Sequence, residues 1–166
     1  MSSVSPASPA SLPQSPAVLD PERSTDAGVR VGIVLVSHSR ALAEAAMDLA
    51  RRLIVAVDVP VGLAAGLADG GLGTDPGTVV EAVERLAERC EGVLVLADLG
   101  SGIMSAEMAL EMLDPALAER TRLSAAPFVE GLLGAYGTAG IGKDLQAVAA
   151  EADGAAEVKR SQVAAF

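Results

Sequence analysis

Read from its amino end, the chain gives its first sustained apolar run at Val29-Arg30-Val31-Gly32-Ile33-Val34-Leu35-Val36. The run is β-branched and nearly continuous, the pattern of a strand covered on both faces. It ends at Ser37-His38-Ser39. From Arg40 the period becomes helical: Leu42, Ala45, Ala46, Leu49, Ala50 and Leu53 recur at three- and four-residue spacings, with Arg40, Glu44, Asp48, Arg51 and Arg52 largely elsewhere. This set is the expected buried face, and Ser39 the expected N-cap. A second strand is placed near Val59 to Ala65; Pro60 suits a strand start or an edge, so this strand is read as an edge.

Gly66 to Gly73 holds four glycines and Asp69 and reads as a loop. Thr74-Asp75-Pro76 then opens a helix, with a cap followed by Pro in the first turn. Val79, Val80, Val83, Leu86, Ala87 and Cys90 give that helix its stripe. Gly92 to Ala97 is a third strand, ended by Asp98-Leu99-Gly100-Ser101-Gly102, and a helix from about Ile103 to Leu113 stops at Asp114-Pro115. Arg120 to Ser124 is a short fourth strand. From Pro127 to about Ala152 the pattern is helical but rich in glycine, and a break is expected near Gly137 to Gly142 because each Gly costs a helix about 1 kcal/mol against Ala.

Strands alternating with helices predict an α/β fold, an open and mostly parallel four-stranded sheet with right-handed crossovers. Its domain spans 28–153. Residues 1–27 carry five of the nine prolines and seven serines, a composition that predicts a disordered tail. Residues 154–166 read as a polar C-terminal tail.

Composition narrows the function. With 12 basic against 22 acidic side chains the net charge is -10, which leaves no basic footprint for nucleic acid. One Cys and one His exclude a disulfide framework and the usual zinc sets within one chain. No apolar run reaches the roughly 18 residues of a membrane span, and the N-terminus lacks a signal's basic start and apolar stretch. A cytoplasmic location is the expectation. Aromatics are 2% of the chain, so its core is built from small and branched aliphatics.

Open α/β sheets bind ligands beyond the carboxyl ends of their strands, where strand order reverses. If strand one is central and strand three lies beside it, Ser37-His38-Ser39 meets Asp98 to Gly102 there. The only His then stands beside a carboxylate, hydroxyls and two helix N-termini, which favour a phosphoryl group. In this reading His38 is a nucleophile and Asp98 orients it, while Ser39, Thr74 and Ser101 clamp transferred phosphate. The arrangement requires no metal. A plainer reading makes His38 a hydrogen-bonding residue at a strand end and Ser39 and Asp75 mere helix caps. Cys90 reads as a small buried hydrophobe, and Met104, Met108 and Met112 as a packing stripe. Gly140-Ile141-Gly142-Lys143-Asp144 and Gly70-Gly71-Leu72-Gly73-Thr74-Asp75 lack the spacing or context of nucleotide-binding loops, so no bound nucleotide or other cofactor is expected.

Four separated segments carry a resemblance: Val36-Ser37-His38-Ser39-Arg40-Ala41-Leu42-Ala43-Glu44, the loop with Leu72-Gly73-Thr74, Ala97-Asp98-Leu99-Gly100-Ser101, and Leu123-Ser124-Ala125-Ala126-Pro127-Phe128-Val129-Glu130-Gly131. Together, from about Val29 to Ala152, they resemble the mannose-type EIIA domain of the phosphotransfer (DhaM) subunits of bacterial dihydroxyacetone kinases. The resemblance implies strand order 2-1-3-4 with helices on both faces, commonly in a homodimer. It also implies a phosphotransferase: His38 takes a phosphoryl group from the carrier HPr, charged by enzyme I from phosphoenolpyruvate. The group then passes to ADP held on a DhaL subunit, whose ATP phosphorylates dihydroxyacetone on DhaK. Carried over by motif, His38 is the phosphorylated residue, Asp98 the nearby acidic position, and Thr74 and Ser101 loop positions around it. HPr-like and enzyme I-like domains do not follow in this sequence, so separate carriers are expected. Two alternatives remain open: a sugar-specific mannose-type EIIA that passes phosphate to a transport component, and a non-catalytic α/β ligand-binding module.

Overall fold

A computed structural model describes residues 28–55 and 57–165 of the chain. The Pro/Ser-rich segment 1–27, expected to be a disordered tail, lies outside the described residues. Four strands, β1 (Val31–Ser37), β2 (Val61–Ala65), β3 (Gly92–Ala97) and β4 (Thr121–Ser124), form one sheet. All pairings are parallel, in the order β2-β1-β3-β4. The expected α/β class, order and edge position of β2 hold. Pro60 stands just before β2 and takes part only through its carbonyl, which accepts from Ile33 N–H at 2.9 Å.

Helices cover both faces, which is why β1 and β3 are apolar at nearly every position and buried throughout. Val31, Ile33, Leu35, Leu94 and Leu96 face α1 (Arg40–Leu53), α5 (Phe128–Gly140) and α6 (Leu145–Ala164). Val34, Val36, Val93, Val95 and Ala97 face α2 (Pro76–Ala87) and α3 (Gly100–Met112). A four-residue helix, α4 (Pro115–Ala118), precedes β4. Capping follows the sequence: Ser39 accepts from Leu42 N–H, Asp75 from Thr78 N–H, and Pro76 occupies the first turn of α2.

Three expectations change. On α1 the expected face holds at Ala46 and Ala50, which are buried with Ala43, while Leu42, Ala45, Leu49 and Leu53 are exposed. Two apolar stripes run along this helix about one residue, or 100°, apart. The small one faces inward because alanines admit the close approach that leucines forbid. Met104, Met108 and Met112 are exposed rather than packed, the inner face of α3 being Gly102, Ser105, Ala106 and Ala109. Lastly, residues 154–164 continue α6 instead of forming a tail. Burial in α6 stops at Ala152, but Arg122 holds Asp153 and Lys159 pairs with Glu130 of α5, so the helix carries on with its far turns largely exposed.

The break in the last helical region falls at Ile141–Asp144, where Gly142 adopts φ +77°, and Asp144 caps α6 through Ala147 N–H. Tyr136 is fully buried; its hydroxyl accepts from Val59 N–H at 3.3 Å, tying α5 to the approach to β2. Cys90 is buried against the Gly32–Leu86 contact, and burial pushes its thiol pKa up.

Gly131 allows α5 to enter tightly after β4: a Cβ there would lie 2.5 Å from Ala126 Cβ. Neither atom has a flexible side chain to yield. Gly131→Ala is therefore expected to destabilise the fold by about 1–3 kcal/mol despite the better helix propensity of Ala, measured as a lowered urea midpoint with an unchanged slope.

Candidate active site

The parallel pairing of β1 with β3 aligns Val36 with Ala97, so the residues that follow each strand emerge side by side. His38 and Asp98 meet there. The Asp98 carboxylate accepts four hydrogen bonds. Oδ1 takes His38 Nδ1 at 2.9 Å and Leu99 N–H at 2.7 Å; Oδ2 takes His38 N–H and the Ser37 hydroxyl, each at 2.9 Å. Its side chain is 6% exposed, against 25% for His38. Burial alone pushes the Asp98 pKa up, but the bonds from His38, Ser37 and Leu99 outweigh it and hold the group below the usual carboxylate range.

An ionised carboxylate only accepts, so Nδ1 carries the imidazole proton. This tautomer is assigned from the hydrogen-bond network. Nε2 points outward to the Ser101 hydroxyl at 2.5 Å, and in the Nδ1–H tautomer it is the ring nitrogen with the lone pair, to which that hydroxyl donates. Ser101 lies in the first turn of α3, whose N-cap residue Leu99 supplies no side-chain cap. The first N–H groups of α3, in the same turn as Ser101, therefore have no side-chain cap, and an uncapped helix start favours an anion.

Thr74 is one contact further out. Its hydroxyl meets Ser105 Oγ at 2.8 Å and the Ser101 carbonyl at 3.4 Å, bracing the turn that presents Ser101. Ser39 is placed differently: its oxygen caps α1, and the hydroxyl proton stays free to donate. The glycine-rich loop closes over the strand end through Gly66 N–H to Ser37 O at 3.0 Å and Gly73 N–H to His38 O at 2.9 Å.

Three residues that sequence reasoning gave no role shape the site. Ser37, fully buried, donates to Asp98 and accepts from Ser39 N–H. Ser105 braces Thr74. At Gly102 a Cβ would lie 2.9 Å from Asp98 Oδ1 and 3.8 Å from His38 Cε1, so only glycine lets α3 come this near the ring. For Ser37 and Ser105 the available signal was a hydroxyl on an otherwise apolar inner face. Among the described residues, no group of three or more His, Cys, Asp or Glu is placed to hold a metal ion, and no helix is long and apolar enough to cross a membrane. A groove between α5 and α6, lined by Glu130, Leu133, Glu151, Val158 and Lys159, shares no residue with the His38 cluster.

Residues 32–149 match the family model described as EIIA-man, PTS system fructose IIA component. The chain is 43% identical over 135 residues to phosphoryl donor subunits DhaM of phosphoenolpyruvate-dependent dihydroxyacetone kinase from Klebsiella michiganensis and Escherichia coli. Each alignment covers 80% of this chain but 28% of the relative, so the chain spans little more than a quarter of those proteins. A DhaM subunit of Listeria innocua is 37% identical over 101 residues, covering 61% of this chain and 79% of the relative. Among solved structures, a protein of unknown function aligns with TM-score 0.68 and 31% identity over 75% of this chain and 93% of its own. A sigma-54 interaction domain protein from Enterococcus faecalis, at TM-score 0.60 and 19% identity over 81% of this chain and 97% of its own, shares the fold.

The depressed Asp98 pKa has a consequence for stability. Because the folded value lies below the unfolded one, the unfolded chain binds more protons between them, and stability rises with pH across that window. The contribution is complete above the ordinary carboxylate range, about pH 4, and is lost as pH falls through the folded value. Asp98→Asn is expected to shallow this acid limb, read as denaturation midpoints against pH; an unchanged limb would show that the carboxylate is not held as described.

Proposed function

The chain belongs to the EIIA-man family of PTS fructose IIA components, and from that membership we propose that it is the phosphocarrier subunit of a phosphoenolpyruvate-dependent dihydroxyacetone kinase. The observation that carries this reading is the placement of His38, whose Nδ1 lies 2.9 Å from Asp98 Oδ1 while Nε2 faces outward to the Ser101 hydroxyl. The names of the 43% identical relatives support the kinase assignment. The relay operates in the cytoplasm, on a homodimer, with phospho-HPr as donor, ADP bound to DhaL as acceptor, and DhaK as the subunit that holds dihydroxyacetone.

In the first step the Nε2 lone pair attacks phosphorus. The nitrogen–phosphorus bond on the donor breaks, and its electron pair returns to the donor's imidazole. The Nδ1 proton of His38 stays in place, so the phosphorylated ring carries positive charge, which the adjacent Asp98 carboxylate stabilises. Ser101 releases Nε2 and turns its hydroxyl to a phosphoryl oxygen. Thr74 holds the Ser101 turn, Ser39 donates its free proton, and the N–H groups opening α3 take the remaining charge. In the second step an oxygen of ADP attacks phosphorus, the Nε2–phosphorus pair returns to the ring, and ATP forms. The protonated ring is the better leaving group, which makes Asp98 useful in both directions.

The family description names a fructose component, which favours a sugar-specific EIIA as the second reading. The acceptor separates the two: discharge to DhaL with ADP supports the kinase, and discharge only to a transport component supports the sugar system.

Incubation with phosphoenolpyruvate, enzyme I and HPr is expected to place an acid-labile, base-stable phosphate on His38. His38→Ala should accept none, and equal labelling of that variant would end the reading. Asp98→Asn should still fold but accept phosphate more slowly by on the order of 10²-fold, the contribution of a positioned acid–base partner, followed by rapid-quench labelling.

A further inference from the structure

Ser101, Met104, Met108 and Met112 succeed one another at three- and four-residue steps and share one stripe of α3. Ser101 heads the stripe with its hydroxyl on His38 Nε2, and Met112 lies about 16 Å further along the helix at 1.5 Å per residue. The three methionines are 62%, 54% and 60% exposed. Leu99, beside Asp98, and Leu72, beside the Gly73 contact with His38, are also exposed large apolar side chains. Glu107 and Glu111 lie exposed on the same helix, and no Lys or Arg occurs between Leu99 and Glu119.

A phosphoryl group reaching Nε2 displaces the Ser101 hydroxyl, so whatever carries that group covers the head of the stripe. A small donor has no use for 16 Å of apolar helix below it; a protein does. The geometry points to the methionine stripe as the docking rail for the protein that delivers the phosphoryl group. Its matching surface is an apolar patch rimmed by Lys and Arg around its own phosphorylated residue, complementary to Glu107 and Glu111. This inference rests on His38 as the phosphoryl acceptor. Methionine suits the role because an unbranched, polarisable side chain conforms to a partner without a fixed shape of its own, and the acidic flank speeds encounter with a basic partner.

The test compares two donors on the full chain: phospho-HPr, regenerated by phosphoenolpyruvate and enzyme I, and phosphoramidate, which is too small to use a rail. Met104→Ala with Met108→Ala is expected to lower kcat/KM for phospho-HPr roughly tenfold, the size of loss seen on truncating interface anchors. The phosphoramidate rate should stay within about twofold. Glu107→Lys with Glu111→Lys should also slow the protein donor and flatten the salt dependence of its rate. An unchanged phospho-HPr rate overturns the rail, as does an equal loss with both donors. If the unsubstituted chain forms no phosphohistidine with either donor, it is the His38 reading that fails, and the rail with it.

Discussion

The Asp98 carboxylate is the point on which the site depends. It accepts from groups on two chain segments 60 residues apart in sequence, and each of its oxygens takes two hydrogen bonds. Those bonds keep it ionised despite burial. Ionised, it accepts from the imidazole at Nδ1 and so leaves Nε2 as the nitrogen that would serve as nucleophile in the proposed transfer. Nothing local to either loop achieves this. It requires β1 and β3 to be parallel neighbours in register, and the two crossovers through β2 place them so.

The same dependence explains the composition. Bringing the first turn of α3 onto the imidazole needs a residue without a side chain at Gly102. Bringing α1 and α5 down on the far face of the sheet needs Ala43, Ala46, Ala50, Gly131 and Ala135 where larger residues would hold the layers apart. The scarcity of aromatics and abundance of small residues is thus a packing requirement of a site assembled from close backbone approach. Tyr136, the largest fully buried side chain among the described residues, is accommodated with its hydroxyl accepting a backbone N–H from Val59.

Most of this was legible in the sequence because period, caps and glycine punctuation agreed. β1, β3, the caps Ser39 and Asp75 and the edge position of β2 followed from local rules, whereas the meeting of the His38 loop with the Asp98 loop rested on β1 lying beside β3, an order that the family resemblance supplied. The α1 face followed only at Ala46 and Ala50, since periodicity gives a stripe's spacing but does not fix its centre to within one residue; close packing on the sheet turned Ala43 inward and Leu42, Leu49 and Leu53 out. The extent of α6 was hidden because its last turns bury almost nothing and are held by ion pairs to α5 and β4, partners remote in sequence. Ser37 and Ser105 act through Asp98 and Thr74, a relation that exists only once the strands are paired.

The arrangement also bears on why a phosphoryl group placed here would not stay. It brings nearly two negative charges at neutral pH into a site where an ionised carboxylate already sits across the same ring. Like charges at that range, in a site with little bulk water on the Asp98 side, raise the energy of the loaded state. The positive ring between them, the hydroxyls of Ser101 and Ser39, and the open end of α3 offset part of that cost. A site that bound the charge more completely, with a Lys or Arg clamping the phosphoryl oxygens, would hold the group and cease to transfer it. Ser37–Ser39, Gly66–Asp75 and Asp98–Leu99 carry no Lys or Arg, and Arg40, which opens α1, pairs with Glu44 at 3.0 Å on the exposed side of that helix. Stabilisation by dipoles and hydroxyls rather than by full positive charge would leave such a group bound but transferable, the balance that the proposed relay requires.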